Sequence, residues 1–152
     1  MQRVTVALLL TVAIILTGMQ SHAQDYRFGL GLRLSNSTPT LNSSVTGKYN
    51  VTERSSVEGM VSFGSRFGMG ALLELHQNFS TPGLRWFYGG GAYVGWQDKN
   101  TYFGPTGILG IEYTFPSAPI AVSADWKPEL DIIPSINFVP DAFALTVRFT
   151  LK

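Results

Sequence analysis

Ten charged residues occupy positions where side-chain chemistry can be read from spacing: Arg27, Arg33, Lys48, Glu58, Glu74, Arg85, Glu112, Asp125, Lys127 and Arg148. Each falls on the polar phase of an alternating segment, among glycines, alanines and hydroxyl residues. Alternation places all members of one phase on one face of an extended strand. Charges gathered on the inner face of a small barrel are costly alone, so they are expected to interlock as ion pairs and plug the lumen. Glu74 is expected beside Arg85 across the turn at 77–83, and Glu112, Asp125 and Arg148 are expected to form a second cluster. The functional alternative for the same residues is a hydrated path for small ions or solutes.

His76 stands two residues from Glu74 and four from Ser80, so a base, a carboxylate and a nucleophile are close in sequence. Such a set suits hydrolysis of an acyl bond when the carboxylate orients the base and the base activates the serine. The order His-Gln-Asn-Phe-Ser and the adjacent turn favour a structural histidine. Gly89, Gly90 and Gly91 precede no helix, so they are read as close packing in a strand rather than as a phosphate loop. No cysteine is present and His76 stands alone beyond the leader, so no metal constellation and no cofactor is expected.

The elements that must position these groups are β-strands. In the stretch 107–128, Leu109, Ile111, Tyr113 and Phe115 share a face opposite Gly110, Glu112 and Thr114. After the break at 116–119, Ile120, Val122, Ala124 and Trp126 oppose Ala121, Ser123, Asp125 and Lys127. The same two-faced alternation recurs from Tyr26 to Leu34, Leu41 to Val51, Ser55 to Phe63, Phe67 to Leu75, Leu84 to Trp96 and Phe143 to Leu151. Breaks lie at 35–40, 52–54, 64–66, 77–83, 97–102 and 129–141. The pattern predicts about eight antiparallel strands in an up-and-down barrel. One face of every strand carries large apolar groups; the other carries glycine and charge. A soluble barrel would fill its interior with the large groups. The opposite assignment is expected here, with the apolar face in lipid and Trp86, Trp96, Tyr113, Phe115, Trp126 and Phe149 near the two interfaces.

The chain opens with Arg3, an apolar run from Val4 to Leu16, and small residues at Ser21 and Ala23. This predicts a cleaved secretory signal over 1–23 and a barrel domain over 24–152. The run is shorter than a membrane-spanning helix needs. With Arg3 removed, the eleven basic residues fall to ten and equal the ten acidic ones, so nothing attracts nucleic acid electrostatically. Without cysteines an exported domain must be stable without disulfides.

The exported start, the GIEYTF…PIAVSADWKP hairpin and the terminal ALTVRF strand together resemble the small outer-membrane β-barrel proteins of Gram-negative bacteria, the porin-like single-domain barrels similar in size to OmpX. The resemblance covers the whole chain after the leader and implies a monomeric transmembrane barrel in contact with outer-membrane lipid and the barrel-insertion machinery. Family members usually end on an aromatic residue, whereas this chain ends Phe149-Thr150-Leu151-Lys152. The function expected is a structural or interaction role without catalysis. A narrow solute channel and a lipid A-modifying enzyme are the alternatives. The apolar segment 131–139, within the loop 129–141, is expected to fold over the barrel mouth, or else to meet a surface partner.

Overall fold

The computed structural model describes residues 26–36, 40–140 and 142–152; the segment read as a signal lies outside them. Ten strands are described, in chain order: β1 Phe28–Ser35, β2 Ser44–Asn50, β3 Ser55–Phe63, β4 Phe67–Asn78, β5 Leu84–Gln97, β6 Asn100–Thr114, β7 Ile120–Trp126, β8 Glu129–Asp131, β9 Asn137–Val139 and β10 Phe143–Leu151. Eight of them close a barrel in the order β5-β4-β3-β2-β1-β10-β7-β6, and β6 returns to β5. Every pairing is antiparallel. Closure leaves no free edge around the wall.

Alternation decides which way each side chain points. Leu30, Leu32 and Leu34 of β1 face out, as do Leu145 and Val147 of β10; Leu34 is 67% exposed and Leu145 61%. Their sequence neighbours Arg33, Thr146 and Arg148 face in and are buried. The six aromatics Trp86, Trp96, Tyr113, Phe115, Trp126 and Phe149 all lie on the outward phase and are exposed or half-buried. Phe67 stacks on Trp96 across the β4–β5 pair, with ring centroids 5.9 Å apart.

Three departures from the sequence pattern have local causes. Phase slips ahead of β1: Tyr26 is buried, Arg27 and Phe28 are both exposed, and Gly29 is buried. Tyr26 therefore enters the lumen and Arg27 leaves it. Secondly, β6 begins at Asn100, well before the 107–128 stretch. Asp98 (φ 50°) and Lys99 (φ 66°) form a two-residue turn with both residues left-handed, and Gln97 pairs with Asn100. Pro105 masked that part of the strand, because a proline argues against strand in a sequence.

Thirdly, the segment 129–141, described as far as Pro140, does not fold over the mouth there. Glu129 pairs with Thr106 and Phe103 with Ile133, so β8 continues the wall along the upper part of β6, and β9 turns back upon β8. Ile132, Ile133, Ile136 and Phe138 project outward, Ile136 being 81% exposed. The mouth is the end carrying this hairpin and the turns at 64–66 and 98–99. Residues 26–27, Lys152 and the turns at 51–54, 79–83 and 116–119 form the opposite end.

Candidate functional site

The lumen is divided into two charged layers by an apolar one. Reading along the strands from the terminal end to the mouth, Glu58 precedes Met60 on β3 and Arg85 precedes Phe87 and Tyr93 on β5. On the descending strands, Leu72 precedes Glu74 on β4 and Ile108 precedes Glu112 on β6. Met60, Leu72, Phe87, Tyr93 and Ile108 meet with Leu41 as one buried cluster. Charges lie on both sides of it.

The layer nearer the termini contains Lys48, Arg85 and Arg148 against Glu58, Glu74 and Glu112. Glu112 is its hub: Arg85 Nη2 lies 2.6 Å from Oε1, while Arg148 Nη1 and Lys48 Nζ lie 3.2 and 3.3 Å from Oε2. The Tyr26 hydroxyl donates to the same carboxylate at 3.1 Å. Lys48 also meets Glu74 at 2.7 Å, and Arg148 pairs with Glu58, which accepts from the Thr46 hydroxyl. Three positive and three negative groups give this layer no formal charge.

The layer at the mouth has the same balance. Arg33 pairs with Asp125 at 2.6 Å, Lys127 with Glu129 at 2.9 Å and Arg66 with Asp131 at 3.4 Å. Tyr93 donates to Asp131 at 2.8 Å, and the Arg66 guanidinium lies over the Tyr102 ring at 3.3 Å. Lys127 follows the end of β7; burial pushes its ammonium down to about 8 against the pull of Glu129. Isolated charges would be costly in such a space, and pairing within each layer offsets that cost.

Of the ten charged residues expected in the lumen, Arg33, Lys48, Glu58, Glu74, Arg85, Glu112, Asp125, Lys127 and Arg148 line it. Arg27 does not: it is exposed, because phase slips ahead of β1. The partners also differ from expectation. Register sets Glu74 opposite Gly89 and Arg85 opposite Asn78, so these two do not pair. Asp125 joins Arg33 in the mouth layer, leaving Glu112 and Arg148 together. Three further charged residues line the mouth layer. In sequence Arg66 falls in the break at 64–66, and Glu129 and Asp131 in the break at 129–141; only the alternation of Glu129 and Asp131 about Leu130 marks a short strand.

What closes the mouth is the pair Thr40–Leu41. Thr40 and Leu41 are fully buried. Glu129 accepts both of their backbone N–H groups, from Leu41 at 2.8 Å and from Thr40 at 3.3 Å. Arg33 Nη1 donates to the Leu41 carbonyl at 3.0 Å, Arg66 Nη1 to the Thr40 hydroxyl at 2.7 Å, and Ser62 to the Thr40 carbonyl. Glycines make the space. A Cβ on Gly68 or Gly95 would lie 2.7 Å from Thr40 Cγ2, and one on Gly70 would lie 2.8 Å from Leu41 Cδ1.

His76 and Glu74 are brought together, but with Ser56 instead of Ser80, which lies exposed in the β4–β5 turn. The His76 Nε2 atom meets both the Ser56 hydroxyl at 2.8 Å and Glu74 Oε2 at 3.3 Å. A relay needs serine at one ring nitrogen and carboxylate at the other, and His76 Nδ1 has no partner. The group reads as a hydrogen-bonded part of the lumen packing, against the Phe87 ring at 5.4 Å. No three potential metal-ligating side chains converge among the described residues.

No protein-family model matches this chain, and no curated protein matches its sequence.

Proposed function

We propose that this chain is a small outer-membrane β-barrel of a Gram-negative bacterium, with a plugged lumen and a structural or interaction role, and without catalysis. The observation that carries the reading is the inversion of its two faces. Large apolar side chains cover the outside while the charges are buried inside; water selects the reverse, and hydrocarbon requires this arrangement. On the outer wall, Leu34, Trp86, Leu109, Ile111, Trp126 and Leu145 line an apolar groove of about 820 Å³. Acyl chains fit such a surface without leaving polar groups unpaired.

A channel requires a continuous wet path. The cluster around Leu72 and Phe87, which Leu41 joins, interrupts it. The interaction role belongs to the mouth, where Ile132, Ile136 and Phe138 of the β8–β9 hairpin stand exposed. The test is reconstitution into vesicles whose acyl chains are brominated. Fluorescence of Trp86, Trp96 and Trp126 should be quenched, and the same preparation should give no open-channel events in planar bilayers. Unquenched tryptophans would remove the membrane reading, and steady conductance would restore the channel.

A further inference from the structure

Thr40 and Leu41 are held as a receptor holds an extended peptide. Both backbone N–H groups go to one carboxylate, Glu129. Both carbonyls are met by side-chain donors, Ser62 for Thr40 and Arg33 for Leu41. Arg66 reads the threonine hydroxyl, and the leucine side chain enters the apolar layer beside Met60 and Leu72. Wall glycines at 68, 70 and 95 keep the cleft open for this backbone, since a Cβ at any of them would strike it or its side chains.

Glu129, Arg33 and Arg66 each have an ion-pair partner in the mouth layer, yet each also turns hydrogen bonds on two residues of loop, which filling a lumen does not require. Apolar side chains of similar volume would fill it with equal or greater stability. Charges that grip peptide groups give something that apolar filling cannot, namely recognition of backbone in a chosen direction together with one hydroxyl and one aliphatic side chain. We infer that the barrel mouth is a peptide-binding cleft, occupied here by the chain's own Thr40–Leu41 and open to an extended partner segment carrying a hydroxyl residue followed by leucine. The inference rests on the interaction role proposed above, and not on lipid insertion, because the cleft belongs to the barrel interior.

A resident segment tethered to its site competes at high effective concentration, so an outside peptide displaces it only when supplied in excess. The chain has no cysteine, which gives a clean readout. In the folded full chain carrying Leu41→Cys, the introduced thiol should react slowly with a maleimide. Acetyl-Thr-Leu-Asn-Ser-amide at millimolar concentration should speed the reaction roughly ten-fold, and a scrambled tetrapeptide should not. Adding Glu129→Gln should raise the basal rate and abolish the response to peptide. Thr40→Cys provides the same readout if Leu41→Cys does not give a folded, heat-modifiable barrel. A labelling rate indifferent to the peptide overturns the cleft, whether the thiol is protected or freely reactive. A lipid-inserted barrel with such an indifferent thiol loses this inference alone; a water-soluble barrel whose thiol responds keeps it and loses the membrane reading.

Discussion

The Glu112 carboxylate lies 2.6 Å from Arg85 Nη2 through one oxygen and 3.2 Å from Arg148 Nη1 through the other, so a single anion joins β5, β6 and β10 across the lumen. Lys48 from β2 shares the second oxygen at 3.3 Å. Three cations thus share one carboxylate, Lys48 and Arg148 meeting Glu74 and Glu58 besides, and the sequence separation between its partners makes it a long-range fastening of the barrel.

Replacing Glu112 by Gln keeps the shape and removes the charge. Lys48, Arg85 and Arg148 would then confront two carboxylates, and breaking such a buried network costs about 3–5 kcal/mol. Urea unfolding in detergent micelles, followed by tryptophan fluorescence, should show a midpoint lowered accordingly. An unchanged midpoint would mean that the layer is hydrated and contributes little.

Arg27 and Arg33 make a controlled comparison, since both fall on the same phase in sequence but only Arg33 enters the lumen. Arg27→Ala should change stability by less than about 0.5 kcal/mol, as an exposed substitution does. Arg33→Ala should cost roughly 3–5 kcal/mol because it strands Asp125. Equal effects measured in the same unfolding assay would contradict the phase slip at Tyr26.

Gly70→Val should destabilise the barrel by about 1–3 kcal/mol through overpacking against Leu41. The cost should be partly recovered when Leu41→Ala is added, because the added Cβ would otherwise lie 2.8 Å from Leu41 Cδ1. A double-mutant cycle measures this coupling directly. Strict additivity would place Leu41 elsewhere.

Lys127 supplies a pH dependence of definite sign. Its folded value of about 8 lies below that of an unfolded lysine, so the unfolded chain holds this proton more tightly. The penalty for burying the charged form is fully present below pH 8 and fades as pH rises toward 10. Stability of the native chain relative to Lys127→Met should therefore rise across that window, by roughly 2 kcal/mol. Parallel stability curves for the two proteins would show that Lys127 is not desolvated.

Much of this architecture was legible because barrel strands have a period of two and charge marks the inner phase. Leu30, Leu32 and Leu34 against Gly31 and Arg33 left little ambiguity, and nine of the ten expected luminal charges follow from the same rule. Pairing was not legible. Which carboxylate meets which cation depends on strand stagger around the closed sheet, so Arg85 reaches Glu112 on β6 rather than Glu74 on β4. The plug was also hidden. Thr40 ends the hydroxyl-rich break at 35–40 and Leu41 opens the weak alternation to Val51 on its outward phase, while the glycines cradling them lie 28 to 55 positions away on β4 and β5. Arg27 departs from the rule because a phase slip leaves no compositional trace.

The inversion of faces is tested most directly by where the protein resides. Cells expressing the full chain are broken, membranes are separated on a sucrose gradient, and the outer-membrane fraction is washed with urea at alkaline pH. The chain is expected to sediment with that fraction, to resist the wash and to be released only by detergent. Recovery in the soluble periplasmic fraction without detergent would contradict a wall that faces hydrocarbon.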